Sequence, residues 1–221
     1  MARLARLVLA GEAHLVIQRG HRGQAVFADI TDRRAFVAAL HEAAAAHDVA
    51  LHACALLPSE VQLLATPAGA ASLSRMMQAL GRRYVSAYNR RHGCSGTLWD
   101  GRFRCAVIEG GPWRHDALLF VDGASADAAL TSAAHRAGGL RDARLVDPPE
   151  YWQLGNTPFE REAAWGRLLD AGLPPARSEA LRAAALGGWA AGSAGFAARV
   201  AEATARPAQP RPRGRPRNPA T

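Results

Sequence analysis

Apolar residues recur along this chain at two periods, and the switches between those periods lay out its elements. Residues 14–19, His-Leu-Val-Ile-Gln-Arg, form a short run with strand character. Gly20 to Gly23 make a basic turn containing Arg22. Asp29 or Thr31 then caps a helix running to about His47, with Phe36, Leu40, Ala43 and Ala44 on one face. Residues 49–57 read as a buried strand, Pro58-Ser59 as a turn, and Glu60 to Thr66 as the returning strand of a hairpin. Over residues 70–92, Leu73, Met76, Met77, Leu80, Tyr84 and Tyr88 repeat at intervals of three and four, which predicts a long amphipathic helix. Its other face carries Arg75, Arg82, Arg83, Arg90 and Arg91, and Gly93 to Gly96 end it. Thr97 to Glu109 sets Arg102 and Arg104 alternately against Phe103 and Cys105 and reads as a strand. Pro112 opens a further helix through about Val121.

Strand, helix, strand, strand, helix, strand is the ferredoxin-like order: an α+β fold with an antiparallel sheet and helices on one face. Residues 1–130 are expected to form that domain. Residues 131–205 are expected to be a C-terminal helical extension, alanine-rich over 160–172 and 176–205. Residues 206–221 are largely proline and arginine and are expected to form a disordered basic tail. A length of 221 residues suits one domain with an appendage. With 49% hydrophobic but only 6% aromatic residues, the core is expected to rest on small-residue packing.

Charge narrows the partner. All 27 basic residues are arginine, against 19 acidic ones, for a net charge of +8. The total lack of lysine points to a GC-rich coding sequence and accounts for part of the arginine excess. The sign still favours a polyanion. Cys54, Cys94 and Cys105 are odd in number and form no C-x-x-C pair, so they read as reduced thiols of a cytoplasmic protein. No apolar run reaches membrane length, and Met1 to Gly11 lack a long apolar core, so neither a membrane span nor a signal peptide is expected. The eight histidines show no metal-spaced pair, and His14, His52 and His115 can meet only through the fold. No nucleophile elbow is present, which argues against a serine hydrolase.

Several stretches, taken in order, resemble one family. They are Met1-Ala-Arg-Leu-Ala-Arg6, Gln18-Arg-Gly20, Val49-Ala-Leu-His-Ala-Cys-Ala-Leu-Leu-Pro58, Leu63-Leu-Ala-Thr-Pro67 and Leu73-Ser-Arg-Met-Met-Gln-Ala-Leu-Gly-Arg-Arg-Tyr-Val85. Tyr88-Asn89, Arg91-His92-Gly93 and Gly96-Thr-Leu-Trp-Asp-Gly-Arg-Phe103 follow. Gly187 to Val200 and Arg213-Gly-Arg-Pro-Arg217 match more loosely. The set resembles the transposases associated with repetitive extragenic palindromes (REP), which are HUH-type single-tyrosine enzymes related to insertion-sequence transposases.

The resemblance implies a chemistry that this chain lacks the residues to perform. In the family a tyrosine attacks a phosphodiester of single-stranded DNA while a divalent metal polarises the phosphate. Two histidines at i and i+2, just after a proline turn, hold the metal; the matching positions here are Glu60 and Gln62. A Tyr-x-x-x-Asn pattern on the following helix supplies the nucleophile and a further ligand; the matching positions are Phe120 and Ala124. Catalytic residues are therefore not expected. Glu60 and Gln62 are weak Mg²⁺ candidates that read first as polar residues on a solvated strand face. No cofactor is expected, and Mg²⁺ enters only with residual activity. Tyr84 and Tyr88 are core positions by their spacing.

The expected partner is DNA, as a hairpin or single strand, inside a bacterial cytoplasm and near the nucleoid. Arg22, Arg82, Arg83, Arg90, Arg91, Arg102 and Arg104 are the candidate phosphate contacts, with Trp99 beside them as a base-stacking or core residue. Arg213 and Arg215 flank Gly214 as in an AT-hook, which fits the narrow minor groove of A·T-rich duplex. The alternatives are an active transposase with displaced catalytic residues and an RNA-binding module, although the aromatic strand signature of the latter is absent.

Overall fold

The computed structural model describes residues 6–210. Five strands form one sheet: β1 (Ala13–Arg19), β2 (Val49–Leu57), β3 (Glu60–Pro67), β4 (Arg104–Ile108) and β5 (Ala190–Ala191), in the order β2-β3-β1-β4-β5. The first four pair antiparallel, in the ferredoxin-like order expected from the sequence. β5 adds two residues in parallel to β4. The helices are α1 (Ile30–Ala46), α2 (Ser72–His92), α3 (Pro112–Asp122), α4 (Pro149–Trp152), α5 (Pro158–Ala171), α6 (Pro175–Gly187) and α7 (Ala194–Thr204).

Side-chain alternation sorts the strands onto two faces. Val16, Val61 and Leu63 point toward α1 and α2, where Phe36, Leu40, Met76, Leu80 and Tyr84 complete one core. Leu15, Ile17, Leu64, Ala106 and Ile108 point the other way, onto Leu118, Val121, Trp165 and Leu181 of α3, α5 and α6. α1 and α2 thus share one face as the fold class requires. The opposite face is covered by α3 and by the chain beyond residue 130. The chain beyond residue 130 joins the same sheet, since α6 lies against β4 and β5 pairs beside β4. A register shift between Leu51 and Ala53 turns β2 over, so Leu51 faces α1 while Ala53 and Ala55 face α3.

Local chemistry accounts for the element ends. Asp29 caps α1 by accepting from the backbone N–H of Thr31 at 2.8 Å and Asp32 at 3.1 Å, a contact worth about 1 kcal/mol. Gly93, at φ 61°, closes α2 in the left-handed conformation. Two expectations are corrected. The strand foreseen over Thr97 to Glu109 is ordered as a strand only from Arg104, because Gly96 and Gly101 have φ of 94° and 69° and the consecutive Leu98 and Trp99 are both buried. The helical run foreseen over 176–205 is broken at Gly188, φ 73°, into α6, β5 and α7. The described chain also continues in packed form past Arg206: Ala208 is buried, and its carbonyl accepts from Ala190 N–H at 2.8 Å. Arg213 and Arg215, and with them the AT-hook reading, lie outside the described residues.

Candidate functional site

The hairpin register builds the site at one end of the sheet. Glu60 and Gln62 open β3, two residues apart, and share the face turned toward α3 and α6. Arg19 of β1 stands opposite Glu60, and Ile17 opposite Gln62. From α6, Arg182 reaches over the sheet and donates through both terminal nitrogens to the Glu60 carboxylate, at 2.9 Å to Oε1 and 2.6 Å to Oε2. Arg19 Nε adds a third bond to Oε2 at 3.2 Å, and Gln62 Nε2 donates to Oε1 at 2.8 Å. The expectation that Glu60 and Gln62 sit on a solvated strand face is corrected: they are 7% and 3% exposed, because α6 covers them. Burial pushes the Glu60 carboxyl up. The hydrogen bonds from Arg182 and Gln62 and the charge of Arg182 outweigh it and hold the group below its ordinary range.

Beside this cluster lies a cavity of about 450 Å³ lined by Gln62, Phe120, Ala124, Ser178 and Arg182, with Leu57, Leu119, Leu169 and Leu173 among its apolar walls. Three positions selected separately along the sequence, 62, 120 and 124, therefore meet at one opening, and Glu60 is one hydrogen bond away. Phe120 is half-buried there on the exposed end of the α3 core stripe. Sequence reading missed Arg182 and Arg19. Arg182 is 122 residues from Glu60 along the chain, in an alanine-rich segment with no local signal of its role.

None of the three tyrosines lines this cavity. Tyr84 is 2% exposed, donates its hydroxyl to the Val26 carbonyl at 2.6 Å and packs among Phe27, Phe36 and Trp99. Tyr151 donates to the Arg136 carbonyl at 3.2 Å in the opposite core. Tyr88 is half-buried against Tyr84 and His92. Burial raises all three phenols above their ordinary range. Trp99 is in the core, 7% exposed. His14, His52 and His115 stay apart: burial lowers His14 to about 4, His52 bridges the Val146 carbonyl and Thr66 hydroxyl, and His115 lies edge-on to Trp165. No group of three or more metal-binding side chains occurs among the described residues.

The candidate DNA-contacting arginines divide into two surfaces. On α2, Arg83 is tied to Glu42, and Arg91 donates to Asp29 at 2.9 Å and also to the buried Asp32. These two residues are eight apart, two helical turns, and both face α1. Their neighbours Arg82 and Arg90 are exposed and carry no ion pair among the described residues. Arg104 stands across the sheet from them, beside Arg19 and Leu186 of the Glu60 side. Arg102 lies at the rim and borders both that hollow and one against Ser74, Met77 and Gln78 of α2. Both are exposed and unpaired among the described residues. Arg22 projects from a short turn at φ 53°. No helix among the described residues is long and apolar enough to cross a membrane.

No protein-family model and no curated protein match this chain. Among solved structures, a REP-associated tyrosine transposase bound to a REP hairpin is similar over 55% of this chain and 70% of its own, at 14% identity and a TM-score of 0.46. A transposase candidate from Deinococcus radiodurans R1 is similar over 50% of this chain and 88% of its own, at 22% identity and a TM-score of 0.36.

Proposed function

We propose that this chain is a DNA-binding relative of the REP-associated tyrosine transposases that holds hairpin or single-stranded DNA without cutting it. The observation that carries the reading is the meeting of Gln62, Phe120 and Ala124 at one cavity beside Glu60, at positions picked from family motifs alone. What stands there cannot perform the family reaction. Phe120 keeps the ring of the expected nucleophile and lacks its oxygen. The Glu60–Gln62 pair does not fit a divalent cation, since both carboxylate oxygens are held by guanidinium groups and Gln62 turns its N–H to Glu60. A dication at Glu60 would face Arg19 and Arg182 at close range, a repulsion on the order of several kcal/mol. Arg182 supplies from within the positive charge that the family takes from a metal.

Exposed, unpaired arginines support phosphate contact along the rim of the same end of the sheet: Arg102 and Arg104, next to Arg19. The test is binding to hairpin and single-stranded oligonucleotides across a salt series. Affinity is expected to fall steeply with salt, and Arg102→Ala with Arg104→Ala to flatten the slope by about 0.7 to 0.9 for each lost contact. Arg34→Ala with Arg167→Ala, at exposed positions away from the rim, is the control. No covalent protein–DNA adduct is expected with Mg²⁺ or Mn²⁺, from the parent or from Phe120→Tyr. An adduct formed by the parent protein refutes the reading, and mapping it identifies the nucleophile.

A further inference from the structure

Gln62, on the wall of the cavity between α3 and α6, carries a hydrogen-bonding group that no described residue satisfies. Gln62 is 3% exposed and its Nε2 donates to Glu60 Oε1 at 2.8 Å. That bond fixes the amide, because the reversed orientation would press its oxygen against a carboxylate oxygen. Gln62 Oε1 is thereby committed as an acceptor, and it is buried with no donor among the described residues. Buried polar atoms are nearly always paired, so this one calls for a partner. Arg182 spends two N–H groups on Glu60 and retains others, and the Ser178 hydroxyl lines the same space.

The surroundings select the ligand. An anion is disfavoured by the Glu60 carboxylate and the Gln62 oxygen on one wall. A cation is disfavoured by the guanidinium groups of Arg182 and Arg19. A wholly apolar group would leave Oε1 unmet. A neutral flat ring with apolar faces and an N–H donor beside an acceptor meets all of these constraints, and on a DNA-binding chain that describes an unpaired nucleobase carrying an exocyclic amine. A cavity of about 450 Å³ accommodates one base with its sugar.

We propose that this cavity takes a single unstacked, amino-bearing base from a bound strand. The amine donates to Gln62 Oε1, the ring lies against Phe120, and an adjacent ring acceptor meets Arg182 or Ser178. Arg19, Arg102 and Arg104, on the far side of Glu60, take the neighbouring phosphates. Entry requires a lining side chain to shift, because Oε1 is itself covered; the Arg182 side chain, 39% exposed, has room to do so. The proposal rests on the DNA-binding reading and adds to it a site for one class of base.

The test uses the full chain and single strands of about ten nucleotides, a length within the usual reach of such sites. Three strands are compared by fluorescence anisotropy: oligo-dC, oligo-dT and an abasic strand. Cytosine and thymine are alike in size, but thymine would present a carbonyl oxygen to Gln62 Oε1. Oligo-dC is expected to bind about tenfold more tightly than the other two, the factor that 1.4 kcal/mol represents. Gln62→Leu should erase that preference and leave the salt slope unchanged. Phe120→Leu, which removes the ring and disturbs no hydrogen bond, should reduce dC affinity about fivefold, the low end of what one base–aromatic stack contributes, and spare the abasic strand. Equal binding of all three strands with a steep salt slope overturns the pocket and leaves DNA binding standing. No binding of any strand overturns both. A dC preference that survives in both variants places base selection elsewhere and also overturns the pocket.

Discussion

Arg182→Ala probes whether α6 is pinned to the sheet by the Glu60 cluster. The Glu60 side chain is 9% exposed and that of Arg182 39%. Breaking a fully buried ion pair costs roughly 3–5 kcal/mol, and losing an exposed one about 0–1. With one partner buried and the other partly hydrated, and with Arg19 and Gln62 still holding the carboxylate, the expected loss is about 2 kcal/mol near pH 7. For a chain of this size that lowers Tm by roughly 4–8 °C. The pH dependence has a definite sign. Glu60 is held below its ordinary range in the folded protein, so its contribution is fully present above the unfolded carboxyl value of about 4.3 and is lost as pH falls through the lower folded value. The gap between parent and variant should therefore be full at neutral pH and shrink below about pH 4. Urea denaturation of the parent, Arg182→Ala, Glu60→Gln and the double variant measures the coupling, expected at about 1 kcal/mol or more. Strictly additive losses, or a gap that stays constant to low pH, would refute the argument.

Other expectations concern the frame around the site. Tyr84→Phe should cost about 1–3 kcal/mol in denaturant titrations, since it leaves the buried Val26 carbonyl without its donor. An unchanged midpoint would mean that water replaces the hydroxyl. Gly20→Ala should unfold the chain or lower Tm sharply, because a Cβ there would lie 2.1 Å from the Gln24 carbonyl oxygen. Gly81→Ala, in the middle of α2 with nothing within 4 Å of the added carbon, should instead stabilise by about 0.5–1 kcal/mol.

The parts of the fold that could be read from the sequence were those written in local periodicity. α2 carries an apolar residue every three or four positions, and the structure buries Leu73, Met76, Met77, Leu80 and Tyr84 from that stripe. The hairpin of β2 and β3 was legible from two apolar runs separated by Pro58-Ser59. The errors arose where long-range packing overruled the pattern. Thr97 to Phe103 looks like a continuation of β4, yet Leu98 and Trp99 turn into the core together and two left-handed glycines break the extended run. β5 has only two residues, too few for any periodicity, and exists because β4 offers an open edge.

The site divides along the same line. Glu60, Gln62, Phe120 and Ala124 could be named because the family resemblance carries its catalytic positions onto them, counted from the proline turn and along the following helix. Their surroundings could not. Residues 60 and 62 looked solvated because, on a lone hairpin, the face opposite the α1 core is open to water; α6, more than a hundred residues away, closes it. The arginines show the converse. Arg82-Arg83 and Arg90-Arg91 are indistinguishable pairs in a sequence, but consecutive helical residues point about 100° apart. The second member of each pair therefore meets the acidic residues of α1, while the first faces solvent. Charge counted along the chain overstates what is free to meet a phosphate. Only the packing separates arginines that hold helices together from arginines left available: on α2 it leaves Arg82 and Arg90, and beyond α2 it leaves Arg102 and Arg104, which border one hollow beside Arg19.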